Sequence, residues 1–332
     1  MAKASSGPVP VVVMGLGYIG QQIVRAALAS PEVTLLGAVD NSPGFLGKTL
    51  AALIPGAGPI KVVGDLASAL GRTKGAVVLH ATGSRLPQVM EQLLEACAAG
   101  VSVVSTCEEL AFPYLKHEAL AAKLDRAAQR AGVSVLGTGV NPGFVLDRLP
   151  ALFGQVCGPV RHARVERVVD ARTRREALQR KIGAGLSEEE FLRLVDEEQL
   201  GHVGLLESAA LCALGLGMDC DDFEEEIVPV FAEEDIPGGS FTVRKGQVAG
   251  ISQTAIATED GQERVRLELT LAMGADDPGD RIVLDADPKV EVQIKGGVAG
   301  DQATANLVVN AAPRLTAAEP GLLTVLELPA GR

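Results

Sequence analysis

Three stretches of the sequence combine residue types that can do chemistry. Gly15-Leu16-Gly17-Tyr18-Ile19-Gly20 sits between an apolar run and a helical pattern. Glycine at its first position permits a tight turn. At the third it lets an anionic group approach the backbone, and at the sixth it lets helix and strand pack closely. The helix opening there offers unpaired N–H groups and a partial positive charge. Asp40 lies twenty residues after Gly20, at the end of the next apolar run. A carboxylate there can accept hydrogen bonds from both ribose hydroxyls and repels a 2′-phosphate. Dinucleotide binding is expected, with NAD favoured, although Asn41, Ser42 and Lys48 close by leave room for NADP. The competing reading, a glycine-rich turn with a surface Asp, lacks the strand–turn–helix context seen here.

His80-Ala81-Thr82-Gly83-Ser84 follows another apolar run. Ala81 and Gly83 let backbone approach a ligand, and Thr82 can donate a hydrogen bond, so all three join the cofactor candidates. A His at a strand end more often finds structural partners than serves catalysis. Ser105-Thr106-Cys107-Glu108-Glu109 places two adjacent carboxylates at a cleft mouth. One can act as a general base with its pKa raised by burial. Equally, both can be the acidic first turn of a helix. Cys107 has no partner His in the pattern and reads as buried and structural. Gly137-Thr138-Gly139-Val140-Asn141-Pro142-Gly143-Phe144 reads as a rigid loop and a domain boundary. Asn141 offers donor and acceptor to substrate or cofactor, Thr138 a hydroxyl, and Phe144 a pocket wall.

These loops need a scaffold that brings them to one edge. Val9–Met14, Val33–Val39, 60–63, 76–79, 101–104 and 133–136 read as buried strands, separated by helices at 18–29, 65–70, 86–99 and 114–131. That alternation predicts an α/β, doubly wound parallel sheet of Rossmann type, whose strand C-termini share one edge. The pattern changes after Pro142. Long, largely alternating segments at 160–171, 241–258, 264–273 and 281–295, with helices at 188–198 and 203–216, predict an α+β domain with a mixed or antiparallel sheet. Residues 301–312 return to helical spacing. The expected divisions are 1–142 for dinucleotide binding, 143–300 for substrate and dimer contacts, and 301–332 for a helix and tail packing back on the first domain. The carboxylates at 188–190 and 224–226 read as solvated helix starts or loops.

The chain has 332 residues and a net charge of −12. Its one basic cluster, Arg161 to Lys181, is interrupted by acidic residues, which argues against nucleic-acid binding. Five cysteines lack metal spacing, so reduced thiols in a cytoplasmic protein and no metal are expected. Met1 to Pro8 is polar with no apolar h-region after it, which predicts no secretory signal. No apolar run reaches membrane-spanning length, so no membrane partner is expected.

The Gly15–Gly20 turn, the Thr106-Cys107-Glu108-Glu109 loop and the 137–144 loop together resemble the 2,4-diaminopentanoate dehydrogenase and native amine dehydrogenase group. Lys181-Ile182-Gly183-Ala184-Gly185-Leu186 and Gly300-Asp301-Gln302-Ala303-Thr304-Ala305 look like it too. The resemblance runs over most of the chain. The group is related in fold to dihydrodipicolinate reductase, but that enzyme's paired-histidine loop is missing here. The resemblance implies a homodimer and a catalytic carboxylate at Glu108, with Glu109 the second candidate. It implies reversible oxidative deamination of an amine, or reductive amination of a ketone or aldehyde with ammonia. A narrow diamino-acid substrate would require a carboxylate clamp, for which Arg161, Arg164, Arg167, Arg172, Arg174, Arg175 and Arg180 are available. An apolar pocket with Phe144, Leu146 and Leu149 nearby would suit a simpler substrate. Two rivals remain. An ammonia-independent ketone reductase would usually need a Tyr or Lys acid, and only Tyr18 and Tyr114 exist. A non-catalytic NAD-sensing module would need no carboxylate in the cleft.

Overall fold

The computed structural model describes residues 7–174, 176–238 and 241–331. Most of the polar stretch Met1–Pro8, on which the expectation of no secretory signal rests, lies outside the described residues, and so does Arg175. The chain divides into two compact units, one of residues 1–144 and 299–332, the other of 145–298.

In chain order, the first unit holds β1 (Val9–Met14), α1 (Tyr18–Ala29), β2 (Val33–Val39), α2 (Leu50–Leu53), β3 (Val62–Val63), α3 (Leu66–Leu70), β4 (Val77–His80), α4 (Leu86–Ala98), β5 (Ser102–Ser105), α5 (Glu118–Ala131) and β6 (Ser134–Gly137). The second unit follows with α6 (Arg148–Gly154), β7 (His162–Asp170), α7 (Glu176–Lys181), α8 (Glu188–Asp196), α9 (Leu205–Gly215), β8 (Asp222–Phe231), β9 (Ile236–Pro237), β10 (Thr242–Val243), β11 (Val248–Glu259), β12 (Gln262–Ala272), β13 (Gly279–Asp285) and β14 (Val290–Lys295). The chain then returns to the first unit with α10 (Gly300–Leu315) and β15 (Gly321–Leu323).

The first unit's sheet has seven parallel strands in the order β15-β6-β5-β4-β1-β2-β3. Its central strands are runs of Val and Leu because helices cover both faces. Val11, Val12, Val13, Val77, Leu79, Val103 and Val135 are fully buried. Connection reverses between β1 and β4, which puts a crevice at the C-terminal edge there. Met14 pairs with His80, His80 with Ser105, and Ser105 with Gly137. The four chemistry-bearing loops therefore leave neighbouring strands at one level. Helix α10 packs on α1.

The second unit is a six-stranded mixed sheet, β14-β13-β7-β12-β11-β8, in which β12 and β7 run parallel. Alternation buries Val165, Leu267, Ile251 and Ile282 on one face, where α9 meets β11 and β12. The other face carries Arg164, Glu166, Arg266, Glu268 and Arg281, half-buried or exposed.

Several boundaries differ from the sequence reading. The helix expected from Tyr114 starts at Glu118, because Pro113 opens a turn closed by the His117 N–H on its carbonyl, 2.8 Å away. The segment 241–258 breaks into β10 and β11 at a turn where Gln247 N–H reaches the Arg244 carbonyl. The segment 281–295 is a hairpin, β13 and β14, with a cis Asp287–Pro288 bond between them. Glu224 to Glu226 lie in the edge strand β8 rather than in a loop or helix start. Strand β15 extends the parallel sheet beyond the six strands expected.

Candidate active site

The glycine turn after β1 has the geometry its residue types imply. Gly15 has φ of +89°, and a Cβ there would meet the Ala81 carbonyl oxygen at 2.5 Å. A Cβ on Gly20 would lie 1.8 Å from the Gly15 carbonyl oxygen, so no larger residue lets α1 start here. A Cβ on Gly17 would meet nothing within 4 Å, so space stands over the N-terminus of α1. That helix has no acidic residue in its first turn to compete for an anion.

Asp40 holds the turn. Its Oδ2 accepts the Leu16 N–H at 2.7 Å, and its Oδ1 accepts the Ser42 N–H at 2.7 Å. The carboxylate is thus fixed beside a cavity of about 430 Å³ lined by Gly15, Gly17, Asp40, Asn41, Phe45, Ala81, Thr82 and Glu95, among others. The lining holds three carboxylates, Asp40, Asp65 and Glu95, and no Lys or Arg; Lys48 is exposed and outside it. A dinucleotide fits these residues: a glycine cradle that a Cβ would fill, a helix N-terminus for phosphates, and a cavity for the adenosine end.

The loop after β5 separates its two carboxylates. Glu108 to Ala111 form a single 3₁₀ turn. The turn seats directly on Gly137, where a Cβ would lie 2.5 Å from the Ala111 nitrogen. Glu109 is buried; its Oε2 accepts the Leu86 N–H at 2.7 Å and pairs with His117 Nε2 at 2.9 Å, while Arg85 stands 3.9 Å from Oε1. Its carboxylate therefore joins the starts of α4 and α5 instead of walling a pocket. Glu108 is half-buried on the same turn. Cys107 is fully buried, and burial, reinforced by the Glu108 and Glu109 charges, pushes its thiol far up. That thiol is no nucleophile at neutral pH.

His80 is buried, and loss of solvent pulls its imidazole below the ordinary value. Its Nδ1 lies 2.8 Å from Ser105 Oγ and its Nε2 2.8 Å from Gln92 Oε1. The 137–144 loop is tied from within the same unit: Thr138 N–H donates to the Ser105 carbonyl at 2.8 Å, and Val140 N–H to Thr304 Oγ1 of α10 at 3.1 Å. Gly143 has φ of +122°, and a Cβ there would meet the Gly139 nitrogen at 2.6 Å, so the loop folds on itself only with glycine. Thr138 and Asn141 are both buried in it, the Asn141–Pro142 bond is cis, and Phe144 is half-buried at its end. Gln92 and His117 escaped the sequence reading, and so did the roles of Ser105 and Thr304, which it quoted only within longer stretches. Their roles come from partners far away in the chain, and only the sheet register could have paired Ser105 with His80.

In the second unit, five of the seven proposed clamp arginines pair with carboxylates of the chain itself. Arg161 pairs with Asp285, Arg164 with Glu166 and Glu268, Arg172 with Asp170, and Arg180 with Glu176. Arg167 is buried against Asp280 at 2.7 Å. Among the described residues, no group of three or more His, Cys, Asp or Glu could hold a metal, and no helix is long and apolar enough to cross a membrane.

A parallel nucleotide-binding sheet followed by a mixed-sheet unit is the architecture of a two-domain, Rossmann-type dehydrogenase. The family described as "2,4-diaminopentanoate dehydrogenase C-terminal domain" matches residues 144–332. The chain belongs to the 2,4-diaminopentanoate dehydrogenase family. It is 28% identical to the 2,4-diaminopentanoate dehydrogenase of Acetoanaerobium sticklandii, over 98% of this chain and 94% of that one. It is 24% identical to an amine dehydrogenase of Streptomyces virginiae, over 97% and 96%. Its fold is similar to that of the amine dehydrogenase from Mycobacterium smegmatis, with a TM-score of 0.84 at 23% identity, covering 99% of this chain and 98% of that one.

Proposed function

We propose that this protein is an NAD-dependent amine dehydrogenase that uses Glu108 as its acid/base and takes small amines, ketones or aldehydes. The observation that carries the reading is the division of labour in the 106–109 loop. Glu109 is committed to tying the starts of α4 and α5 together, and Glu108 stands half-buried on the same turn, just after the C-terminal end of β5.

Bound in the glycine cradle, a nicotinamide dinucleotide would supply the two-electron acceptor or donor for the amine-bearing carbon. Glu108 takes the proton from the substrate ammonium, because only the neutral amine has the lone pair that drives oxidation. Once that proton has passed to solvent, the carboxylate takes a second proton from the water that attacks the iminium. In reverse it assists ammonia addition and protonates the departing hydroxyl. Asn141 and Thr138, fixed in the buried loop, orient the nitrogen.

Preference for NAD rests on the charge of the adenosine cavity, where three carboxylates stand without a basic residue. Each would repel a 2′-phosphate, at a cost of about 1–3 kcal/mol for unit charges roughly 5–8 Å apart at an effective dielectric of about 20–40. A simple amine is favoured over a diamino acid because five of the seven candidate arginines, Arg161, Arg164, Arg167, Arg172 and Arg180, already pair with carboxylates of the chain. The ketone-reductase alternative loses support, since Tyr114 stacks edge-on against Phe112 and burial raises its phenol above the ordinary value.

Homodimerisation through the open face of the second unit's sheet is part of this reading. Its rows of Arg164, Arg266 and Arg281 beside Glu166, Glu268 and Glu291 can meet their own copy with opposite charges apposed. Five unpaired cysteines support a reducing, cytoplasmic setting.

The test is NADH and NADPH oxidation by the purified protein with a panel of small ketones, with and without ammonium, alongside sizing in solution. Ammonium-dependent oxidation giving an amine supports the reading. Oxidation indifferent to ammonium makes the protein a ketone reductase.

A further inference from the structure

The imidazole of His80 stands at the centre of an unbroken chain of hydrogen bonds. Gln92 Oε1, 2.8 Å from Nε2, is an acceptor only, so Nε2 carries the ring proton. Nδ1 is then the acceptor, and the hydroxyl of Ser105, 2.8 Å away, must donate to it. Having donated, Ser105 Oγ accepts the Cys107 N–H at 3.0 Å. On the other side, Thr82 Oγ1 lies 2.7 Å from Nε2 and donates to the same Gln92 oxygen. Ser105 Oγ thus both donates and accepts, and Gln92 Oε1 receives the Thr82 hydroxyl as well as the imidazole. Cys107 immediately precedes Glu108, whereas Thr82 and Gln92 line the cofactor cavity. Backbone bonds do not make this link alone: Thr106 N–H on the His80 carbonyl fixes strand ends, not the side chain of Thr82.

We propose that His80 is a positioning residue that locks the cofactor-side loop of Thr82 to the loop presenting Glu108, so that one buried side chain sets both halves of the site. This rests on the reading of Glu108 as acid/base and of the cavity as the dinucleotide site. Neither His80 nor Ser105 lines the cavity, so the coupling runs through them, not through contact with the ligand. Burial keeps the ring neutral, the only state compatible with both Ser105 donating and Gln92 accepting. A buried network of this kind rigidifies because every member is satisfied.

The consequence is a crossed pattern of effects. Ser105→Ala, made on the catalytic side, should weaken NADH binding three- to tenfold, although Ser105 is remote from the cavity. Thr82→Val, made on the cofactor side, should lower kcat three- to tenfold at saturating NADH. The double variant should lose less than the product of the single losses in kcat/KM, by at least threefold. NADH affinity is read from the enhancement of its own emission, since the chain has no Trp. Should Ser105→Ala fail to fold, Gln92→Leu breaks the chain on the α4 side, and its kcat at saturating NADH carries the same test. Confinement of each effect to its own side, with additive losses in folded variants, would overturn the proposal. Two controls keep the underlying reading separate. Failure of the unaltered protein to bind NADH refutes the cofactor site, and full activity of Glu108→Gln refutes the acid/base; neither result mimics additivity.

Discussion

Replacing each of the two adjacent glutamates separately should give opposite phenotypes. Glu109 is buried, with its carboxylate 2.7 Å from the Leu86 N–H and 2.9 Å from His117 Nε2. Hydrogen bonds to a charged group contribute about 1.5–3 kcal/mol each, and breaking a buried tie that strands its partners costs about 3–5 kcal/mol. Glu109→Ala should therefore lower stability by about 3–5 kcal/mol. At about 2–4 °C per kcal/mol for a domain of this size, the melting temperature should drop by roughly 6–20 °C. Glu109→Gln keeps an acceptor and the shape, and should lose about 1–2 kcal/mol. Glu108→Gln alters a half-buried side chain while keeping its shape and one acceptor oxygen, and should melt within about 1 kcal/mol of the parent. Its turnover should fall by about 10²–10⁴, the usual worth of a general acid/base, with NADH affinity unchanged. The assay is ammonium-dependent NADH oxidation well below the melting point, beside thermal melts of all three variants. An active Glu108→Gln beside a fully folded, inactive Glu109→Gln would reverse the roles and refute the argument.

Asp40→Ser should raise the NADP-to-NAD ratio of kcat/KM by about tenfold, since one of three carboxylates is removed at about 1–2 kcal/mol; an unchanged ratio would remove charge as the discriminator. Gly20→Ala should abolish NADH binding, because its Cβ cannot sit 1.8 Å from the Gly15 carbonyl, and titration of NADH emission checks it. His80 has its folded pKa held below the unfolded value by burial, so it adds stability above the unfolded pKa near 6.5 that is lost as pH falls towards the folded value. Urea melts between pH 7 and 5 should show this acid slope, and His80→Asn should flatten it. Of the five cysteines, Cys97, Cys107 and Cys212 are buried with raised pKa values, so iodoacetamide at pH 8 should spare them until denaturant is added, as mass spectrometry of the labelled peptides would reveal.

The strands of the first unit were legible almost to the residue, because a sheet buried on both faces leaves uninterrupted runs such as Val9–Met14 and Val33–Val39. The glycine turn and Asp40 were equally plain, since each position has a steric or electrostatic reason for its residue type. What stayed hidden depended on partners distant in the chain. Strand β15 is three residues long and gains its identity only by pairing with β6. Glu224 to Glu226 look like a solvated run, yet they form an edge strand whose Glu225 takes the Gln253 amide at 2.8 Å. His117 gave no signal, because its meaning lies in a carboxylate eight residues earlier and the turn between them.

The same point explains the ambiguity of the glutamate pair. Adjacent side chains point about 100° apart even in an α-helix, so one of the pair can face inward in either setting, and the sequence does not say which. A 3₁₀ turn has three residues per turn, so neighbouring side chains diverge by about 120°. Seated against Gly137, the turn sends Glu109 inward to the Leu86 N–H and leaves Glu108 half-buried. The inward carboxylate holds the starts of α4 and α5 together and so fixes the turn that carries its neighbour. The small Gly137 is therefore as necessary to the arrangement as either acid. A Cβ there would lie 2.5 Å from the Ala111 nitrogen, lifting the turn and moving both carboxylates together. Gly137→Ala should accordingly combine the two phenotypes, a lower melting point and a lower kcat, in one variant. Loss of stability with kcat intact would mean that Glu108 does not depend on the seating of the turn.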